Sequence, residues 1–394
     1  RKDMNMKKNL NVMYAIALLQ GMVFYGPIAT LYRHAQGVVV FEITVIESIS
    51  LALGILLEIP WGRIADKIGY RKTMIFCSSL YLISKIVFWQ ATGFGGFLAE
   101  RIMLSVVLAG YSGVDSSIIY LSCEGTDSQK AFGLYSSMSM AGLLIAAVVF
   151  SVFVGDNYWL AGLLTVISYG LAMVLSFGLT EVRQTASAET TAEPFSESFR
   201  QIFSNRILLL FLVGVALLSE AHQTITVFLN QLQYERCGLN NSVIGLVYIV
   251  ATLLGLLGAY SSAFTKRVGI RRSFVLFCIL AALSCLILGS TPFALPSVIS
   301  VLLLRLSNTL FQPLLTDLQN RQIISRNRAT ALSVCGMLVD GIAIGTNLVF
   351  GALSDWNLSV AFYFGSAICA VGLLLFLLWW CGIKKVDSLF SRIP

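Results

Sequence analysis

Charge is what this chain has least of: only 12% of its 394 residues are Asp, Glu, Lys or Arg, about half the share usual in a soluble domain. So thin a polar complement cannot cover a water-facing globule of this size, which excludes a cytosolic enzyme. A disordered scaffold is excluded as well, because such chains are rich in charge and poor in apolar residues. Paired cysteines are also missing. The eight that occur, at 77, 123, 237, 278, 285, 335, 369 and 381, stand in no CxxC or metal-ligand spacing, so they read as small packing residues. There is no phosphate-binding loop with its lysine, which argues against ATP-driven work. Neither an HExxH helix nor a nucleophile elbow is present, so nothing supports an intramembrane enzyme.

What fills the chain instead is apolar: 57% of residues are hydrophobic and mean hydropathy is +0.81. Lipid must cover that excess, and a polytopic helical membrane protein follows. Twelve spans of about 20 to 23 residues would take up most of the chain and leave no room for a separate soluble domain. The net charge of +7 would suggest a nucleic-acid partner on a soluble protein. Here the basic residues lie between apolar runs, so they read as topology signals, with the lipid bilayer and a small molecule as the partners and no nucleic acid.

Apolar runs predict spans near 10–32, 39–61, 73–93, 97–119, 131–154, 158–180, 207–230, 241–264, 273–291, 297–318, 329–350 and 359–382. Leu10 to Leu31 is too long for a signal-peptide core and lacks a small-residue cleavage site, so it reads as the first span. The spans fall into an N-terminal bundle over 1–180 and a C-terminal bundle over 207–394. Between them, 181–206 holds the polar stretch Thr185 to Pro194 and reads as a linker. With both termini cytoplasmic, the inside segments hold 22 of the 27 basic residues, which sets the orientation by the positive-inside rule.

The loop after span two reads Gly62-Arg-Ile-Ala-Asp66-Lys67-Ile-Gly69-Tyr-Arg71-Lys72. Two hundred residues later, Lys266-Arg267-Val-Gly269-Ile-Arg271-Arg272 follows span eight. Such a repeat predicts two parallel six-helix halves with a substrate site at their interface near the bilayer midplane. The first of these loops, Gly62-x-x-x-Asp66-Lys67-x-Gly69-x-Arg71-Lys72, resembles the signature of the major facilitator superfamily in its expected place between spans two and three. The resemblance implies an all-α fold of twelve transmembrane helices in two pseudo-symmetric bundles, working by alternating access. It also implies that Asp66 complements a helix start in the other half, with Lys67, Arg71 and Lys72 in a cytoplasmic charge network that locks one conformation; a topology role for the basic residues stays open. A carboxylate suits a helix N-terminus, where free N–H groups and the dipole favour negative charge. Lys266 stands where Asp66 stands in the first copy, so the lock is expected to be asymmetric.

Ionisable residues inside spans are costly and mark functional sites by default. On span ten Arg305, Asn308 and Gln312 share a helical face, and on span four Arg101, Ser105, Ser112 and Asp115 do so. The superfamily lines its cavity with spans one, four, seven and ten, so both stripes and Gln20 of span one become substrate-cavity candidates, with snorkelling to the interface as the rival for Arg101. Span seven carries Glu220, Gln223, Thr224 and Gln231 on one face, and Ser219, His222 and Thr226 on another; His222 and Gln223 join the cavity candidates. Glu220, Asp340 of span eleven and Asp115 are the candidates for proton coupling, and a permanent ion pair with Arg305 is an equal alternative for the first two. Glu47 and Lys85 are expected to pair with each other, and Glu42 and Glu58 to reach water. No cofactor is implied beyond a coupling proton, and a monomer in a bacterial plasma membrane is expected.

The leading functional expectation is proton-coupled export of an amphipathic small molecule. Span five lacks the Gly-Pro pair found in many drug antiporters of the superfamily, so proton-coupled uptake of a polar or anionic nutrient stays open. Lipid flipping and a non-transporting membrane sensor stay open too.

Overall fold

The computed structural model describes residues 2–111, 114–123, 128–182, 195–322 and 328–384, with the side chains of 62–67 among those outside the description. Among these residues every regular element is a helix. Twelve are long and apolar enough to cross a bilayer: Met6–Ala35, Val40–Leu57, Tyr70–Gln90, Gly93–Tyr111, Leu134–Val154, Tyr158–Ser176, Arg206–Arg236, Asn241–Gly258, Ile270–Ser290, Ala294–Gln319, Val334–Trp356 and Leu358–Ile383. Each overlaps one span expected from the apolar runs. Polar residues at the run boundaries start several of them. The Asn157 side chain accepts from the Leu160 N–H at 3.0 Å, Asn205 from Leu208 at 3.1 Å, and Asn240 from Val243 at 2.9 Å, each satisfying a donor with no partner inside its helix. Glu42, expected to reach water, does so while its carboxylate accepts from the Val39 N–H at 3.0 Å and caps span two.

The spans are less regular than their apolar patterns suggest. Span one is two helices, Lys2–Gly21 and Ala29–Ala35, joined through a short 3₁₀ turn at Gly26–Ile28. Pro27 sits in that turn and cannot donate to a continuous helix. Span seven contains a π-helical turn at Ile225–Leu229. That wider turn rotates everything after it relative to the first half of the helix, so Gln231 does not continue the Glu220 stripe as a 3.6-residue period requires. Its side chain instead donates to Val227 O at 3.0 Å.

The chain forms two compact units, residues 1–188 with 240–249, and residues 189–239 with 250–394. Within the first, span one packs on spans five and six, span four lies against both two and three, and span three packs on six. Within the second, span seven packs on eleven and twelve, span nine on ten and twelve, and the C-terminal part of span eight on span ten. Each pairing in one unit has its counterpart in the other, six spans on. Spans one and five approach so closely that a Cβ on Gly142 would lie 2.0 Å from Leu18 O, the small-residue contact by which membrane helices pack without a hydrophobic driving force.

The loop repeat is reproduced in conformation. Gly69 has φ 98° and ψ 147°, Gly269 has φ 89° and ψ 149°, and each precedes a helix of 21 residues, Tyr70–Gln90 and Ile270–Ser290. Positive φ is where glycine is tolerated without a Cβ clash.

Candidate functional site

Inside the first unit, five ionisable side chains from four spans gather in one cluster. Arg101 of span four pairs with Glu47 of span two at 2.5 Å. Lys85 of span three lies 3.8 Å from Glu100 of span four and donates to the Tyr25 hydroxyl at 3.1 Å. The expected Glu47–Lys85 pair is therefore replaced by two others. Consecutive residues on a helix point about 100° apart. Glu100 and Arg101 thus turn to different neighbours, one to span three and one to span two.

Arg33, at the end of span one, completes the group. It is buried, and its guanidinium lies over Phe88 at 5.4 Å and Phe97 at 6.0 Å. Lys85 is ringed by Tyr81, Tyr169 and Tyr25 with its ammonium 5.2, 5.3 and 5.7 Å from their ring centres, close enough for cation–π attraction. Neither Arg33 nor Glu100 was singled out in the sequence. Both were visible there as basic and acidic residues too deep to serve the inside loops, Glu100 directly beside Arg101.

Deeper in the same unit, Gln20 donates to the Tyr111 hydroxyl at 2.7 Å, and Tyr111 shares a further hydrogen bond with Ser78 at 2.9 Å. Ser105 meets Ser50 of span two at 2.7 Å. Asp115 is half-buried and accepts from the Tyr135 hydroxyl at 3.5 Å. Ser112 lies outside the described residues.

In the second unit, span seven carries a polar network to spans ten and eleven. Thr224 lies 2.9 Å from Glu220 and 2.9 Å from the carboxamide of Asn347 in span eleven. All three are buried. The Thr224 hydroxyl has a single hydrogen and so donates to one of the two while accepting from the other. On the other face, Gln312 donates to Ser219 of span seven at 3.1 Å and to Asn308 at 3.2 Å. His222 is buried and Nδ1 lies 2.7 Å from Leu218 O. A carbonyl only accepts, so Nδ1 carries the proton, and Nε2 has no partner among the described residues. Arg305 acts electrostatically on His222. It also lies beside Gly255, where an added Cβ would be 3.8 Å from its guanidinium.

Asp340 is half-buried two helical turns before Asn347, on the same face, and Gln223 is exposed. Asn347 is the residue of this network that the sequence reading passed over. An amide two turns from Asp340 was the available signal.

Where the loop between spans two and three meets the end of span six, Arg71 donates from Nε to Leu179 O at 2.6 Å and from its guanidinium to Phe177 O at 3.2 Å. A cation on the last carbonyls of span six complements the helix dipole. Glu181 accepts from the Arg71 N–H at 3.4 Å, and Lys72 is exposed. Asn9, fully buried, accepts from both Thr180 N–H and its hydroxyl at 2.9 Å and donates to Thr180 O at 3.0 Å. The backbone of Gly62, Asp66 and Lys67 is helical within Val40–Ile68, and the side chains of Asp66 and Lys67 lie outside the description.

Solved structures with the same arrangement of helices are transporters. The chain is similar to the nucleoside transporter NupG (16% identity, TM-score 0.79, covering 94% of this chain and 99% of that one). A POT family transporter in complex with 5-aminolevulinic acid is similar at 16% identity and TM-score 0.74, with 95% and 96% covered. The D-xylose–proton symporter is similar at 15% identity and TM-score 0.70, with 95% and 97% covered. A comparison with curated proteins finds no match. The family profile described as Major Facilitator Superfamily matches residues 10–346, and with the repeated six-span pattern it shows that the chain belongs to that superfamily.

Proposed function

We propose that the chain is a proton-coupled secondary transporter of polar or anionic small solutes, working by alternating access, with Glu220 as the group that carries the coupled proton. One observation carries the reading: a buried carboxylate whose neighbour, Thr224, also contacts the Asn347 amide. When Glu220 is ionised, Thr224 donates to it and accepts from the Asn347 NH₂. When Glu220 is protonated, it donates to Thr224, which donates to the Asn347 carbonyl oxygen. Rotation of one hydroxyl and choice of amide orientation satisfy both states. A carboxylate that stays hydrogen-bonded in either state suits a group that must gain and lose a proton as water access alternates. Asp340, two turns away on Asn347's face, and Asp115 are the secondary proton candidates.

The polar character of the network, with Gln312, Asn308, Ser219 and the unpartnered Nε2 of His222, favours a hydrogen-bonding solute over the amphipathic one suggested by composition alone. A buried polar site left empty by an apolar ligand would hold unpaired groups, which is costly. Export of an amphipathic molecule is the second reading, resting on the apolar walls of the spans.

The test is transport in proteoliposomes with labelled nucleosides, D-xylose and 5-aminolevulinic acid as the first panel. For any solute carried, a pH gradient should drive accumulation in the wild type. Glu220→Gln, alone or with Asp340→Asn, should lose that accumulation and keep solute counterflow. Accumulation unchanged by the gradient and by both substitutions together would sink the proposal. The direction of net movement under an imposed gradient separates uptake from export, and saturable counterflow of any solute rejects a sensor without turnover.

A further inference from the structure

The charge cluster of the first unit does not balance. Three cations, Arg33, Lys85 and Arg101, face two carboxylates, Glu47 and Glu100, which leaves one surplus positive charge. Arg33, Lys85 and Glu100 are 8%, 5% and 1% exposed. Glu47 and Arg101 consume one another, and Glu100 sits at the limit of pairing distance from Lys85. Arg33 has no carboxylate within ion-pair distance among the described residues, and its guanidinium lies over two phenylalanine rings. Glu100, Arg101 and Glu47 act on Arg33 electrostatically, and Glu100, Arg101 and Arg33 act on Lys85, so the five groups share one field.

The hydrogen bonds are unbalanced in the same sense. Nε of Arg33 and Nε of Arg101 are buried donors without an acceptor, against one orphaned acceptor, Oε2 of Glu100. A buried donor left unmade and a buried charge left unpaired are each destabilising. Loss of the Lys85 proton would cancel the surplus charge and leave both Nε donors without an acceptor. A water would serve the donors and leave the charge. An anion does both.

We propose that this cluster is a binding site for one monovalent anion, either a free halide or the carboxylate of a carried solute, recognised by the Arg33 guanidinium. Guanidinium groups are suited to this because they cannot lose their charge and offer several N–H donors in one plane. An anion that brings a donor of its own, or a water, also serves Glu100 Oε2. The site belongs wholly to the first unit and is distinct from the Glu220 network. Only the solute-carboxylate source rests on the transport reading.

The experiment measures thermal unfolding of the full-length protein in lipid nanodiscs, with sodium chloride or sodium acetate replacing sodium sulfate at constant ionic strength. A ligand of the folded state raises the midpoint saturably. Chloride alone raising it identifies a halide site, acetate alone a carboxylate site, and both an unselective anion site. Each supports the proposal if the saturable rise is lost in Arg33→Met, which removes the surplus cation. No saturable rise with either anion, or the same rise in Arg33→Met, overturns it. Should Arg33→Met fail to fold, wild-type crystals grown in bromide or the Arg33→Lys variant decide. Where chloride raises the midpoint, an anomalous peak in contact with the Arg33 guanidinium is expected, and its absence overturns the proposal. Where acetate alone raises it, Arg33→Lys, which keeps the cation and removes the planar fork, should need at least about tenfold more acetate for the same rise, and an unchanged rise overturns the proposal. None of these readouts involves transport, so failure of the transport reading leaves the anion site standing, and the reverse also holds.

Discussion

At the scale of single residues, the consequences of burying charge depend on what is left behind. Glu100→Gln removes one of two carboxylates and leaves three cations facing Glu47 alone. Taking one partner from a buried pair costs about 3–5 kcal/mol, and the loss here should lie in that range. Lys85→Met leaves two arginines against two carboxylates, a neutral set, and should cost about 1–2 kcal/mol, the ordinary size of a core substitution. Denaturation midpoints of the two variants in the same detergent check this, and equal losses would refute the charge count. The Glu220 network makes a complementary prediction. Thr224→Val keeps the shape of the side chain and removes the hydroxyl between Glu220 and Asn347. Gradient-driven transport should fall about tenfold or more while counterflow changes little, since loss of one hydrogen bond to a charged group is worth about 1.5–3 kcal/mol. Kinetics in proteoliposomes measure it, and unaltered coupling would show that Thr224 is not part of the proton site.

At the scale of elements, the two loop glycines have the same backbone and different surroundings. A side chain at positive φ and extended ψ costs about 1–3 kcal/mol, and that applies to Gly69→Ala and Gly269→Ala alike. A Cβ at Gly69 would also lie 2.9 Å from the Glu181 carboxylate, whereas nothing lies within 4 Å of one at Gly269. That carboxylate receives the Arg71 N–H, and Arg71 in turn holds the end of span six. Gly69→Ala should therefore lower the unfolding midpoint more than Gly269→Ala, and a larger drop for Gly269→Ala would contradict the geometry. The asymmetry first read from Asp66 against Lys266 thus has a structural companion in glycines that look equivalent in sequence. Irregular turns are the element-scale features that period counting misses. The π turn in span seven offsets Gln231 from Glu220, and the Pro27 turn divides span one.

At the scale of the whole molecule, the six-span pattern of helix packing recurs in the two units, so one set of rules for neighbour choice is used twice. The distribution of basic residues predicts an orientation with both termini inside. A green fluorescent protein fused after Pro394 should fluoresce, and alkaline phosphatase fused after Gly238, between spans seven and eight, should be active; the reverse pair of results would invert the topology. Of the 27 basic residues, the five outside the inner segments are Arg33, Lys85, Arg101, Arg236 and Arg305. Three of these form the buried cluster and a fourth, Arg305, acts electrostatically on His222.

The sequence by itself determined the number of spans, their positions and the family. Those properties depend on local apolar length, on charge between runs and on one loop pattern, all of which a chain carries before it folds. Which charge meets which was decided only by the tertiary structure. Glu47 and Lys85 occupy plausible depths for a pair, yet span four lies against both their helices and offers a better partner to each. Asn347 reaches Glu220 through Thr224 because span eleven packs on span seven, a neighbour relation that no period within either span contains. Partner choice among buried polar groups depends on helix rotation and order of packing. Both are settled by burial summed over a whole bundle, and a few inserted residues in one turn are enough to change them.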